Sequence, residues 1–357
     1  MQNKNIPMDL EDQHIHCDQL NTISSFNDKI LLDKHTCKIN HIDLRKNLLM
    51  TSGDDDLILI IDLKVIKFVK IYYDKINGIK FSKFLEPLST RIIYYGYKSF
   101  KLIVNDFIKE EIQIVVNLLR AKLNHFEFNN KSNIIITTQE KDSIVWKLRE
   151  KKLNPEINIK NSYYAIINNS KQNIISCARN VNEKNKVNNV ISIYKYESKD
   201  NLIMIKEKDL VITNFEGEIK VMNYFKNYEQ YSLILMSEFS IEILDLENNG
   251  NIISIINLDK DKDLKFTYFE PVFTKEIIIG YNNGEVDLLN PLKNENNIRK
   301  EIERKYDKNK QIEKLIRDTS NNEIKHESSV VQIKMSDYYP LYVSISDEMI
   351  IYQLKDN

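Results

Sequence analysis

The chain has 357 residues and a formal net charge of −1, from 51 Lys+Arg against 52 Asp+Glu. That balance excludes binding of nucleic acid or membrane by bulk charge, so neither is expected as a direct partner. Hydrophobic residues make up 42% and charged residues 29%, enough for a large core and a well-solvated surface. The 3 cysteines, Cys17, Cys37 and Cys177, are odd in number and far apart, which excludes a disulfide framework and fits a reducing compartment. No apolar stretch approaches the roughly 18 residues of a membrane span. A soluble intracellular protein is expected.

Ile and Asn are abundant, whereas Gly numbers only 7. Ile favours strands, because its β-branched side chain sits well on a pleated surface. Asn and Asp tolerate the left-handed turn conformation that Gly normally supplies, so they are expected in the turns.

Residues 1–27 have no sustained periodicity and read as a flexible tail, without the basic start and apolar run of a signal peptide. The remainder, 28–357, is one long series of short apolar runs split by polar turns. In chain order these are 38–44, 48–52, 57–62, 92–97, 101–104, 123–128, 134–138, 144–148, 174–177, 190–196, 232–237, 241–246, 277–281, 285–290, 330–335, 341–346 and 349–354. Their length is that of strands, not helices. Residues 291–325 break the rhythm as a densely charged insertion. It reads either as a loop or as a docking helix, with Ile298, Ile302 and Tyr306 four apart.

Segments 38–62, 265–290 and 328–354 each read as an alternating strand, a polar turn, an apolar strand, a tight turn and another apolar strand. Segment 121–148 is a weaker copy, and others span 76–116, 160–205 and 208–258. Without the tail and the insertion, seven units average about 42 residues, inside the WD-repeat period of about 40–45. Repetition has a physical reason: one sheet cannot bury both of its faces, whereas radial stacking covers them. The expected fold is an all-β, seven-bladed β-propeller with a flexible N-terminal tail and one charged insertion.

These segments resemble WD repeats, and their order resembles one subfamily. Lys38-Ile39-Asn40, then Ser52 and Asp54-Asp55-Asp56 ahead of 57–62, looks like the first blade of the WD-repeat subunit shared by COMPASS-type histone lysine methyltransferases and mRNA 3′-end processing complexes. Segments 90–112, 233–246 with 251–258, 277–290 and 326–354 follow in the same order. The sequence departs from the repeat pattern in several places. No repeat ends in Trp-Asp, since the single Trp146 precedes Lys147; Asp62 and Asp245 keep an acid at the end of that strand and Asn290 a polar residue. The Gly-His pair is missing, although His326 stands where the last repeat would carry its histidine, and the repeat around Trp146 is one residue short. A WD repeat usually has a structural Asp in the tight turn between its second and third strands. Asp55 and Asn283 match that place, and both residue types bond local backbone amides.

The resemblance implies a non-enzymatic adaptor in a nuclear complex that links a chromatin-modifying or RNA-processing enzyme to RNA polymerase II with phosphorylated C-terminal repeats. It places Lys38, Asn40, Asp54, Lys122, Asn124 and Ser329 on the top rim, as residues that contact partner proteins. Lysines there would give charge-assisted bonds to phosphate. No cofactor and no metal is expected. His14, His16 and Cys17 are ligand types but lie in one short polar tail with no framework to hold an ion, and 54–56 reads as a turn. His41 and His125 read as strand residues, packed or partly exposed, and Trp146 as core. No phosphate loop, Gly-x-Ser-x-Gly or His-Glu-x-x-His motif occurs. A WD-repeat scaffold in a trafficking or ribosome-biogenesis assembly remains the alternative. A phosphoinositide-binding propeller would need a Phe-Arg-Arg-Gly motif, which is absent.

Overall fold

In the computed structural model, residues 35–353 are described except for 65–66, 77, 86–89, 119–121, 130–131, 169–170, 182–186, 199–201, 213–214, 216, 228–229, 259, 261–262, 272–275, 292–327, 336–340 and 347–348. Tail 1–27 and nearly all of the insertion lie outside the described residues, as do residues 30–32, where ring closure predicts a strand that completes the last sheet. All regular structure among the described residues is β, arranged as a β-propeller of antiparallel sheets.

Seven sheets form, each from consecutive strands. The first comprises β1 (Ile39–Arg45), β2 (Leu48–Gly53), β3 (Leu57–Asp62) and β4 (Lys67–Tyr73). The second has β5 (Ile79–Phe84), β6 (Arg91–Gly96), β7 (Lys101–Asp106) and β8 (Glu111–Asn117). The third has β9 (His125–Asn129), β10 (Ile134–Thr138), β11 (Ser143–Arg149) and β12 (Lys152–Ile159). The fourth has β13 (Ser162–Asn168), β14 (Asn173–Val181), β15 (Val187–Ser198) and β16 (Leu202–Ile212). The fifth has β17 (Val221–Asn227), β18 (Gln230–Met236), β19 (Ser240–Asp245) and β20 (Asn251–Asn257). Three described strands each make up the sixth, β21 (Phe266–Pro271), β22 (Ile277–Tyr281) and β23 (Val286–Leu289), and the seventh, β24 (Gln332–Met335), β25 (Leu341–Ile345) and β26 (Met349–Gln353). The fourth sheet runs to Ile212, so residues 208–212 belong to its outer strand and not to the fifth repeat unit in which the sequence pattern places them.

Alternation along the middle strands explains the packing. In β3, Ile58 and Ile60 enter a core shared with the second sheet, while Leu59 and Ile61 enter one shared with Val343, Ile345 and Met349 of the seventh. Each pair of adjacent sheets encloses its own apolar cluster, and one of these joins the seventh sheet to the first. Trp146 is core, as expected, with its indole N–H donating to Thr137 Oγ1 at 2.8 Å. Fully burying a side chain of this size stabilises by about 1.5–3 kcal/mol relative to exposure.

The turns answer the shortage of glycine only in part through Asn and Asp. Asp56, Asn133, Asn161 and Asn249 adopt positive φ, but so do Lys46, Phe100, Glu110 and Gln172.

Candidate functional site

The first strands of the seven sheets, β1, β5, β9, β13, β17, β21 and β24, surround a channel of about 800 Å³. Residues two apart on a strand share a face, and the register shifts at Ile39/His41 and Ile79/Phe81 let the adjacent residues Asn40 and His41, and Lys80 and Phe81, line the channel together. At the mouth stand Lys38, Asn40, Lys80, Asn124 and Lys220. A belt of imidazole and aromatic groups follows, from His41, Phe81, His125, Tyr164 and Tyr268. Two residues further along lie Lys83, Glu127, Glu270 and Lys334, with Asp43 against them.

This deepest tier is electrostatically paired. Lys334 Nζ is 3.0 and 3.1 Å from the two Glu270 oxygens, and Lys83 Nζ is 3.4 Å from Glu127 Oε2. Burial works against the Lys334 charge, but Glu270 and Tyr268 outweigh it and hold the ammonium above its ordinary pKa. Burial likewise works against the Glu127 carboxylate, yet Lys83, His125 and Lys334 hold its pKa down at about 2. Asp43 moves the other way: burial raises it despite Lys83 and the Phe84 amide, which donates to it at 2.8 Å.

In the belt, His125 stacks on Tyr164 at 4.2 Å and His41 meets Phe81 edge-on at 5.6 Å. Burial holds both imidazoles below the ordinary histidine pKa, and Lys83 and Lys334 push them the same way. They are therefore neutral at pH 7. His41 is buried and His125 is partly covered, and both line the channel.

Of the rim residues named from sequence, Lys38, Asn40 and Asn124 line the mouth. The Asn40 amide donates to Asp54 Oδ1 at 2.6 Å and to the Ile79 carbonyl at 2.9 Å, so Asp54 orients Asn40. Lys122 is exposed, and its charge bears on Lys80. Ser329 is exposed outside the channel wall and donates to the Asn282 carbonyl at 2.8 Å. The Asp55 carboxylate accepts from the Thr36 and Leu57 amides at 2.8 and 3.3 Å and lies 3.0 Å from His35 Nδ1, whose Nε2 is 2.8 Å from Thr51 Oγ1. Asn283 caps its own turn at the Glu285 amide, 3.1 Å. The longer tie belongs to its neighbour Asn282, which accepts from the Lys265 amide at 2.7 Å and donates to the Asp263 carbonyl at 2.8 Å.

Sequence reasoning missed His35, because no glycine precedes it. It also missed Lys80, Lys83 and Lys334, whose signal was a charged residue recurring within short strands such as IKFSKF and QIKM. Among the described residues, no group of three or more His, Cys, Asp and Glu is placed to hold a metal ion. No protein-family model matches the chain, and no curated protein matches it.

Proposed function

We propose that this chain is a seven-bladed WD-repeat scaffold that docks partner proteins on the lysine-bearing mouth of its channel and catalyses no reaction. The observation carrying this reading is the convergence of Lys38, Lys80 and Lys220 on one opening, framed by the ends of β1, β5 and β17 and flanked by Lys122. Such a ring of donors suits acidic or phosphorylated peptide, through charge-assisted hydrogen bonds. The seven interlocked apolar clusters supply the rigid frame that a peptide-docking surface needs.

The finer reading rests on the collinear resemblance in the sequence. It makes the partners subunits of a nuclear complex, of the COMPASS-type methyltransferase or mRNA 3′-end processing kind, and makes the docked peptide the phosphorylated C-terminal repeats of RNA polymerase II. Purification of the tagged chain from its native cells, with identification of what co-purifies, tests it. A methyltransferase or cleavage-factor subunit in stoichiometric amount is the expected result; coat or ribosome-assembly proteins instead would place the scaffold in another assembly.

A further inference from the structure

We propose that the outer edge of the fourth sheet pairs with the same edge of a second copy of this chain, β16 to β16 and antiparallel, about a two-fold axis that passes between Glu207 and Lys208. This contact lies away from the channel mouth and does not depend on docking there.

β16 ends its sheet: its inner side pairs with β15, and its outer side pairs with no described strand. It is 11 residues long, whereas the outer strands of the first, second, third and fifth sheets have 7 or 8. Its Ile203, Ile205 and Val211 are 57%, 65% and 60% exposed. Such an edge offers a row of backbone groups to another strand.

The register with β15 sets the faces of β16. Tyr194 is opposite Lys206 and Ile193 is opposite Lys208, so Glu207 is the extra residue of a β-bulge. Ile203, Ile205, Leu210 and Ile212 therefore lie on the face towards the fifth sheet, and Met204, Lys206, Asp209 and Val211 on the face towards the third. Glu207 and Lys208 both border the cleft between the fourth and fifth sheets, so the bulge puts these two neighbours on one face.

A bulge guards an edge, because a regular strand cannot match it. A second copy carries the same bulge. Residues opposed across an antiparallel pair share a face. With the two bulges side by side, an axis normal to the sheet between Glu207 and Lys208 meets that condition along the whole strand. Glu207 of each copy then faces Lys208 of the other, Lys206 faces Asp209, Ile205 faces Leu210, Met204 faces Val211 and Ile203 faces Ile212. Every charge meets its opposite, and every apolar side chain meets an apolar one. Within one copy Lys206 Nζ already lies 2.6 Å from Asp209 Oδ2, so the pairing closes a square of alternating charges.

The other outer strands lack this self-complementarity. β4 carries only the cations Lys67 and Lys70, β8 only Glu111, and β20 no charge. β12 contains Pro155, which has no N–H to give, and its Glu156 pairs with Arg149.

The test is sedimentation equilibrium of the full chain from about 1 to 200 µM. One strand pair is a small interface, so a reversible dimer with a Kd on the order of 10 µM is expected. Glu207→Lys and Lys208→Glu each oppose like charges at both symmetry-related positions, and each should weaken dimerisation about tenfold. An equimolar mixture of the two variants restores opposite charges at both positions and should dimerise like the wild type. Circular dichroism should match the wild type in each. Should Lys208→Glu lose the fold along with its bond to the Leu246 carbonyl, Lys206→Glu and Asp209→Lys form an equivalent complementary pair. A wild-type chain that stays monomeric over the whole range overturns the proposal. A dimer that survives both single variants overturns β16 as its interface, and a mixture of folded variants that stays monomeric overturns the register.

Discussion

Lys334 on β24 reaches both oxygens of Glu270 on β21, at 3.0 and 3.1 Å, and so ties the seventh sheet to the sixth inside the channel. The side chains are 21% and 12% exposed, so the pair is poorly screened by solvent. Removing one partner leaves a desolvated charge behind, which is far costlier than replacing both. Glu270→Gln should therefore cost about 2–3 kcal/mol in urea unfolding. The double variant Glu270→Leu with Lys334→Met should recover most of that loss. Because Lys334 is held above its ordinary value of 10.5, its contribution is complete at neutral pH and is lost only as pH rises beyond that value. Additive losses in the double variant would show that the two groups do not act as a pair.

Glu242 behaves in the opposite way from a paired carboxylate. It points from β19 into the interface with the fourth sheet, alongside Leu235 and Leu244, is 2% exposed, and its Oε2 has no hydrogen-bond partner. Burial pushes its pKa up to about 7. Above the ordinary value of 4.5 the unfolded chain ionises first, so the fold loses stability as pH rises from 4.5 to 7. The full loss is about 3 kcal/mol at pH 8. Glu242→Gln should raise the urea midpoint at pH 8 and leave it almost unchanged at pH 4. A pH-independent difference would mean that the carboxyl finds a partner or solvent.

Glu127 supplies the reverse sign. Its pKa is held at about 2, so its contribution is present above 4.5 and disappears as pH falls towards 2. Its side chain is 26% exposed, which reduces the effect to about 1–2 kcal/mol. Glu127→Gln should lower the melting temperature at pH 7 and converge with the wild type near pH 2. Divergence that grows on acidification would contradict the pairing with Lys83.

The parts of this architecture that were legible in the sequence are those buried on both faces. β3, β10 and β22 each open on an uninterrupted run of Ile or Leu, and their bounds agree with those read from the sequence. Outer strands such as β4 and β16 leave Ile71, Tyr73, Ile203 and Ile205 exposed among charged residues, so their pattern is diluted. Inner strands mix core residues with channel residues: β5, with a register shift between Ile79 and Phe81, has Ile79 and Phe84 in the core and Lys80 and Lys83 in the channel. Lys80 was missed for that reason, whereas Lys38 and Asn124 precede strands with clearer alternation. In the sixth sheet Asn283 bonds a local amide within the turn and Asn282 bonds across it; the two are chemically identical, and only geometry distinguishes these roles.

The first sheet depends on a residue that repeat spacing alone did not reveal. His35 and Asp55 are 3% and 4% exposed in their side chains, and His35 joins Asp55 to Thr51. Burial lowers the His35 pKa and Asp55 opposes that shift. His35→Ala leaves the Thr51 hydroxyl and one Asp55 oxygen without this partner, at a cost of about 1–3 kcal/mol. An unchanged melting temperature would show that water replaces the imidazole without penalty.

Gly280, in β22, tests how tightly the sixth and seventh sheets meet. Its φ is not in the left-handed region, so alanine there meets no backbone strain; Gly284, with φ 87°, is the contrasting case. The constraint at Gly280 is space. A Cβ would lie 2.5 Å from Val330 Cγ1, 2.7 Å from Val330 Cβ and 3.3 Å from Ile333 Cδ1. Val330 and Ile333 are 2% and 0% exposed and, with Ile278, form the smallest of the apolar clusters between sheets. They have no room to retreat without separating β22 from β24. Gly280→Ala should therefore cost about 1–3 kcal/mol by overpacking. It should also speed hydrogen exchange selectively in β22 and β24. A change below about 0.5 kcal/mol, the range of a neutral surface substitution, with uniform exchange would mean that the two sheets sit further apart than this packing requires.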